Sequence, residues 1–175
     1  MAIPSASKHA DLHGRGKRRP PHTMSRVAPP ADLVGRGTTS RTYDYFEHDA
    51  DIGIIGCGAM LEQAFESAAR AMFAIMSDIV ALHADITVQF DFEEADTELA
   101  LVTWLNLLLA HARERHAVFG HFRLLRKGDS WHGEASGQRW SEDMERGVEV
   151  KGTTLTMLSV KQVSEGWEAR CVVDV

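Results

Sequence analysis

The sequence has few cysteines and no long apolar segment, and both absences exclude classes of protein. Cys57 and Cys171 are its only cysteines, and neither belongs to a Cys-x-x-Cys pair. Two cysteines so placed do not form the disulfide framework of a small secreted protein, and the first residues lack the apolar core of a secretory signal. No run of 18 apolar residues is present, which argues against a membrane-spanning helix. We therefore expect a cytoplasmic protein without a membrane partner.

Proline is absent beyond residue 30, and this absence marks a division of the chain. Residues 1–42 hold all five prolines and have a net charge of +6, whereas residues 43–175 have a net charge of −12. The first segment also lacks periodic apolar residues, so we predict a disordered, basic, proline-rich extension. Its basic run at 15–19 would either contact RNA phosphates or remain solvated. Residues 43–175 are predicted to form one acidic domain.

Several common catalytic and binding motifs are also missing. The sequence contains no G-x-x-x-x-G-K-[ST] phosphate loop, no G-x-S-x-G nucleophile turn and no H-E-x-x-H metal motif. No cluster of cysteines and histidines has the spacing of a zinc site. These absences leave no motif-based argument for an enzyme.

Hydrophobic periodicity predicts two helices among many strands. Apolar residues recur at helical spacing over 61–76, and Asp96 is a suitable N-cap for a second helix that continues to about residue 116. Alternating or β-branched patterns predict strands at 43–47, 52–57, 85–92, 118–126, 131–137, 148–163 and 167–173. The order of these elements is not a repeating βαβ pattern. It predicts an α+β fold in which two helices pack on one face of a largely antiparallel or mixed sheet.

The densest polar feature is a turn between the first two predicted strands. Glu47, His48, Asp49 and Asp51 place three carboxylates and an imidazole within five residues. Oxygen-rich turns of this kind suit hard cations such as Ca²⁺. An acidic turn that is merely solvated remains the alternative.

The last residues and one lysine are further candidates. Asp174 and the α-carboxylate of Val175 would place two negative groups at the end of the last predicted strand. Lys151 lies in the segment V-E-V-K-G. The alternatives are a strand that simply ends there and a lysine that points to solvent.

Together these segments resemble the archease family. The family pattern E-H-[TS]-A-D-[IV]-G is similar to E-H-D-A-D-I-G here, and further similar segments follow in the family's order. These are L-E-Q-A-F-E at 61–66, the region 101–109, A-V-F-G-H-F at 117–122, E-V-K-G at 149–152 and the final pair D-V at 174–175. The resemblance covers residues 43–175.

The resemblance implies a small α+β protein that assists an RtcB-type RNA ligase and does not itself catalyse a reaction. Such a protein promotes guanylylation and repeated turnover of the ligase, and it meets RNA only through that ligase. The family's divalent-cation site, with calcium as its expected ion, carries over to Asp51, Asp174 and Val175. Lys151, His48 and Asp49 would belong to the same functional patch.

Two positions differ from the family pattern. Asp49 replaces the usual threonine or serine and adds a negative charge. Leu155 occurs where many members have a tyrosine, and we expect this apolar side chain to be buried in the core.

Two other functions remain open from the residues alone. A stand-alone metal-dependent enzyme would use Asp51 and Asp174 to activate water against a phosphoester, with His48 as its base. A chaperone or adaptor without a metal role would expose an apolar patch.

Overall fold

The computed structural model describes residues 42–175. Apart from Thr42, the predicted extension at residues 1–42 lies outside the described residues. Within the described part, the chain order is β1 (Tyr43–His48), β2 (Asp51–Gly58), α1 (Leu61–Met76), β3 (Ile86–Glu93), α2 (Thr97–Arg115), β4 (Ala117–Lys127), β5 (Ser130–Arg139), β6 (Gly152–Thr153), β7 (Ser159–Val163) and β8 (Gly166–Asp174). No helix in residues 42–175 is long and apolar enough to cross a membrane.

The strands form two antiparallel sheets. The first has the order β1-β2-β8-β6, with β7 also paired to β8, and the second has the order β3-β5-β4. The predicted α+β class is confirmed, but the strands divide between two sheets where the sequence predicts one. The helix α1 explains the division, because it packs against β2 and β8 of the first sheet and against β4 of the second.

The sequence of α1 suits a helix that is covered on more than one side. Nine of its sixteen residues are buried, which is more than a single amphipathic stripe supplies. Several of these are alanines, which let strands approach closely. Gly56 in β2 completes this contact, because a Cβ atom there would collide with the backbone of Ala64 and Ala68. The helix therefore lies directly on the first sheet and fixes its inner face.

The second helix begins and ends where its sequence predicts. The Oδ1 atom of Asp96 accepts hydrogen bonds from the backbone N–H groups of Glu98 (2.8 Å) and Leu99 (3.0 Å), which is an N-cap. His116 ends the helix in the left-handed region, with φ 50°. In the core, the Nε1 atom of Trp104 donates to the carbonyl of Phe65 at 3.2 Å, which ties α2 to α1.

The predicted strand at 148–163 is wrong over most of its length. Only β6 and β7 are strands there, and the residues before β6 are irregular. The cause is competition for backbone groups, because the N–H groups of Gly147 and Val148 donate to the last carbonyls of α1, at Met76 (2.8 Å) and Ile75 (3.0 Å). Between β6 and β7 the chain turns, and Met157 has a left-handed φ of 51°.

Candidate functional site

One row of residues crosses the first sheet at the end of its strands. His48 pairs with Asp51 between β1 and β2, and Gly152 pairs with Asp174 between β6 and β8. Asp51 of β2 and Asp174 of β8 lie opposite each other, because each is one residue beyond the registered antiparallel pair of Ile52 and Val173. Opposite residues of antiparallel strands point to the same face, about 4.5–5.5 Å apart at Cβ. The row therefore brings His48 and two aspartates together.

Strand alternation places this row on the outer face of the sheet. Ile54 and Cys171 are a registered pair that is fully buried, so their positions face the core. Asp51 lies three residues before Ile54, and Asp174 lies three residues after Cys171. Because side chains alternate between the two faces of a strand, both aspartates point away from the core. Asp51 is half-buried and Asp174 is exposed. The carboxylates are thus open to a ligand or partner.

The turn that joins β1 to β2 adds further negative charge. Asp49 and Ala50 form a two-residue hairpin loop between His48 and Asp51. Asp49 has φ 49°, in the left-handed region that aspartate tolerates better than most residues. Glu47 and Asp49 are both exposed. We call residues 47–51, Lys151, Asp174 and Val175 the acidic edge.

Lys151 is the cation of the acidic edge. Its Nζ atom donates to the main-chain oxygen of Val175 at 3.0 Å and lies 4.0 Å from Oδ1 of Asp174. Its backbone N–H donates to the carbonyl of Asp174 at 2.8 Å. The two side chains remain 62% and 52% exposed. An ion pair this open contributes at most about 1 kcal/mol to stability, so its position is more informative than its strength.

The helix α2 holds the segment that carries Lys151. The Nη2 atom of Arg113 donates to the carbonyls of Val150 (3.0 Å) and Lys151 (2.6 Å). Two turns earlier on α2, Oδ1 of Asn106 accepts a hydrogen bond from the N–H of Thr153 at 3.0 Å. These side chains fix the backbone on both sides of β6 and hold Lys151 beside Asp174.

On the row of residues that crosses the sheet, His48 and Asp51 have polar atoms without a partner within residues 42–175. The Nδ1 atom of His48 is buried and makes no hydrogen bond there. The carboxylate of Asp51 makes no hydrogen bond or ion pair with the described residues either. Buried polar groups are normally paired, and adjacent carboxylates repel each other. The acidic edge therefore has capacity for a further donor or cation.

The donor chemistry of this edge fits a hard cation. The carboxylates of Asp51 and Asp174 and the main-chain oxygen of Val175 are oxygen ligands of the kind that Ca²⁺ prefers. In the described part of the chain, no three side chains among histidine, cysteine, aspartate and glutamate are close enough to hold a metal ion. Main-chain oxygen and solvent would have to supply the remaining ligands. The predicted calcium site thus stays a prediction.

Residues 43–175 match the model of the Archease protein family (MTH1598/TM1083). The chain belongs to the archease family. It is 33% identical over 136 residues to the protein archease of Sulfolobus acidocaldarius, an alignment that covers 76% of this chain and 98% of that protein. It is 31% identical over 141 residues to the protein archease of Pyrococcus furiosus, which covers 77% of this chain and 99% of the relative.

Solved structures agree with this archease assignment. The solution structure of Methanobacterium thermoautotrophicum protein 1598 is similar with a TM-score of 0.67 and 29% identity, over 77% of this chain and 99% of that one. A crystal structure described as an archease and possible chaperone, from Thermotoga maritima, has a TM-score of 0.54 and 19% identity, over 74% and 94% of the two chains. The second likeness concerns the fold alone.

The archease fold gathers all six residues singled out from the sequence at one edge of the first sheet. They are His48, Asp49, Asp51, Lys151, Asp174 and Val175. Their predicted roles are not decided by this proximity. Sequence reasoning missed Arg113 and Asn106, because both bind backbone atoms and leave no pattern of paired side chains.

One expectation about the archease domain is wrong. Leu155, predicted to be a core residue, is 64% exposed. The turn between β6 and β7 carries it away from the sheet, because Thr154 and Thr156 take the two backbone bonds to Val172. The side chain therefore faces solvent and does not join the core.

Proposed function

We propose that this archease activates an RtcB-type RNA ligase in the cytoplasm and that the acidic edge is the part that acts on the ligase. The observation that carries the proposal is the grouping of Asp51 and Asp174 on an open sheet face, with a lysine between the strand ends. The relatives from Sulfolobus acidocaldarius and Pyrococcus furiosus are each named simply as the protein archease. The role that we propose for this chain is that of an activator.

The residues of the edge would act through charge. A ligase that binds RNA phosphates and a nucleotide has a positively charged cleft, and an acidic projection is complementary to such a cleft. Asp51 and Asp174 would meet the basic groups or the catalytic metal of the ligase. Lys151 would orient Asp174 from one side. This contact would favour the form of the ligase that undergoes guanylylation and so permit repeated turnover.

A divalent cation, calcium in the first instance, fits the same edge. Asp51, Asp174 and the main-chain oxygen of Val175 would hold it, while His48 and Asp49 line the approach. The cation would offset the mutual repulsion of the two carboxylates, while the exposed Glu47 and Asp49 would keep the edge acidic. The binding of RNA remains a property of the ligase in this proposal.

The proposal is tested by multiple-turnover RNA ligation with the cognate RtcB-type ligase. Wild-type archease is expected to raise the number of turnovers, and Asp51→Asn and Asp174→Asn are each expected to return it to the level of the ligase alone. The matched control is Asp44→Asn. It also removes a carboxylate, in this case from β1, but Asp44 pairs with Ile55, near the end of the β1–β2 hairpin that is far from the acidic edge. Circular dichroism and thermal unfolding would check that all variants fold.

The outcomes separate the proposal from its alternatives. Activation retained in both edge variants contradicts the role of the acidic edge and favours an adaptor without a metal. Phosphoester hydrolysis by the archease alone, lost in Asp51→Asn, would establish a metal-dependent enzyme instead. Equal loss in Asp44→Asn would show that general negative charge, and not the edge, is responsible.

A further inference from the structure

Two large apolar side chains are exposed beside the acidic edge. Leu155 and Met157 are 64% and 46% exposed, and both lie in the turn between β6 and β7. We call residues 154–158 the apolar loop. Isolated exposed apolar residues are normal, but two within three residues, next to a candidate site, form a compact apolar surface.

Hydrogen bonds hold the apolar loop firmly. The hydroxyl of Thr154 donates to the carbonyl of Val172 at 3.0 Å and accepts from the N–H of Thr156 at 3.2 Å. Backbone bonds join Val172 to Thr154 (2.9 Å) and Thr156 (3.2 Å), and the N–H of Leu158 donates to Leu155 at 3.3 Å. The apolar side chains are thus displayed on a preorganised backbone, which lowers the entropic cost of binding.

The loop also contains a strained residue. Met157 has a φ of 51°, a left-handed conformation that is costly for a residue other than glycine, asparagine or aspartate. Such strain persists only where surrounding bonds impose it, and it concentrates at functional sites. Here the strained residue is an apolar one that remains 46% exposed.

The loop is continuous with the acidic edge. It is bonded to Val172, which is two residues before Asp174 in β8, and two residues of a strand span ~7 Å. The helix α2 holds the backbone on both sides of the apolar loop, since Asn106 binds Thr153 and Oε1 of Glu98 accepts from the N–H of Val160 at 3.3 Å. The apolar loop therefore lies next to the acidic edge along β8 and is joined to that strand by hydrogen bonds.

We propose that Leu155 and Met157 anchor this archease on the ligase by entering an apolar hollow at the rim of its basic cleft. This inference rests on the proposed function, because the partner is the ligase whose cleft receives the acidic edge. Charge complementarity selects that partner over a second copy of this chain. A symmetric dimer on this surface would bring two acidic edges together, and like charges oppose such an interface.

The anchor and the acidic edge have separable effects. The acidic edge determines what happens once the complex has formed, so its variants lower the maximal turnover. The apolar loop contributes affinity, so its variants raise the archease concentration needed for half-maximal activation and leave the maximum unchanged. A merely structural role would lower stability and the maximal turnover and would raise the half-maximal concentration, all together.

The test uses the full chain and the double variant Leu155→Ser with Met157→Ser. We expect its Kd for the ligase, measured by biolayer interferometry, and its half-maximal activating concentration to rise by about 10- to 100-fold. The matched control is Val80→Ser with Leu125→Ser, which removes two side chains that are 90% and 51% exposed elsewhere. This control is expected to change neither quantity by more than about twofold.

Each outcome decides the proposal. An unchanged Kd of the loop variant overturns it, as does the absence of binding between the wild-type chain and the ligase. A dimer of the archease that the loop variant abolishes would assign the loop to a second copy and also overturns it. Loop-dependent binding without any activation would support the anchor while contradicting the proposed function.

Discussion

Carboxylates on the outer faces of the two sheets have different surroundings. On the second sheet, Oδ1 of Asp91 lies 2.7 Å from Nδ1 of His132 in the opposite strand. Beside this pair, Oε2 of Glu134 accepts from Nε2 of Gln89 at 2.6 Å. On the first sheet, Asp51 lies between His48 of β1, whose Nδ1 makes no hydrogen bond with the described residues, and Asp174 of β8. Glu168 of the first sheet is also paired, with Lys161 at 3.1 Å, so within the described residues the contrast concerns Asp51, which has no such partner.

The difference concerns function more than stability. Exposed cross-strand pairs such as that of Asp91 and His132 each contribute a fraction of a kcal/mol, whereas like charges directly opposite are unfavourable by a similar amount. A fold can tolerate that cost at one edge. Lys151 offsets part of this cost beside Asp174, and a bound cation or a basic partner would offset the rest at Asp51.

Calcium binding would give the largest contrast between the two faces. At a calcium concentration of 100 times Kd, native-state binding adds about 2.7 kcal/mol to the free energy of unfolding, which raises Tm by roughly 5–15 °C. We expect this shift for the wild type and for Asp91→Asn, and its loss in Asp51→Asn. Differential scanning calorimetry with and without calcium measures it.

A calcium shift that survives in Asp51→Asn would place the ion elsewhere. Loss of the shift in Asp91→Asn as well would show that the two faces do not differ in the way described. Magnesium at the same concentration is the control for nonspecific screening, because ionic strength alone affects both faces alike.

Removing Arg113 would test whether α2 maintains the acidic edge. Arg113→Gln loses the two bonds from the guanidinium to the carbonyls of Val150 and Lys151, and we expect the free energy of unfolding to fall by about 1–2 kcal/mol. The calcium-dependent rise in Tm should also shrink, because the segment next to Asp174 loosens. Urea unfolding and calorimetry measure the two effects.

Arg115→Gln is the matched control for this prediction. It removes the same charge from the same helix, two residues further on, where the side chain binds no described residue. Equal destabilisation by both variants would mean that the charge at the end of α2 matters and that the bonds to the Lys151 segment do not.

Local patterns in the sequence predict much of this fold. The helix over Leu61–Met76 follows from apolar spacing, and the start of α2 follows from the capping side chain of Asp96. These features depend on residues within a few positions of each other. The β1–β2 hairpin and the α+β class follow in the same way. The residues of the acidic edge come from a resemblance across the whole domain, since each alone is a weak signal.

Features that depend on distant backbone atoms are not predictable in this way. The strand expected at 148–163 does not form at its start because the N–H of Val148 bonds to the end of α1, and no pattern within the segment signals this. The roles of Arg113 and Asn106 are not predictable from the sequence for the same reason, since both side chains bind backbone atoms that are distant along the chain. The apolar Leu155 has the composition of a core residue, and only the bonds of Thr154 to β8 show that it faces outward.

Glu66 offers the smallest effect and a third environment for a carboxylate, since it is both partnered and half-buried. Its Oε1 atom accepts from the N–H of Leu124 at 2.9 Å, and Arg70 lies 3.8 Å from its other oxygen. Burial raises the pKa of Glu66 above its ordinary value, and the bond from Leu124 offsets this only in part. Because the pKa of Glu66 is higher in the folded than in the unfolded protein, protonated Glu66 favours the folded state at low pH. This contribution to the free energy of unfolding is lost as the pH rises through the pKa of the folded state.

We therefore expect Glu66→Gln to be at least as stable as the wild type at pH 7, with an advantage that shrinks as pH falls towards 4. Urea unfolding of both proteins across this range measures the difference, and Glu62→Gln shows what loss of another carboxylate from α1 does. A difference that is constant with pH would contradict the raised pKa. A large loss of stability at pH 7 would instead show that the ionised carboxylate is favourable at this site. The hydrogen bond from Leu124 would then be enough to stabilise the half-buried carboxylate of Glu66. Asp51, which has no such bond with the described residues, would differ all the more from it.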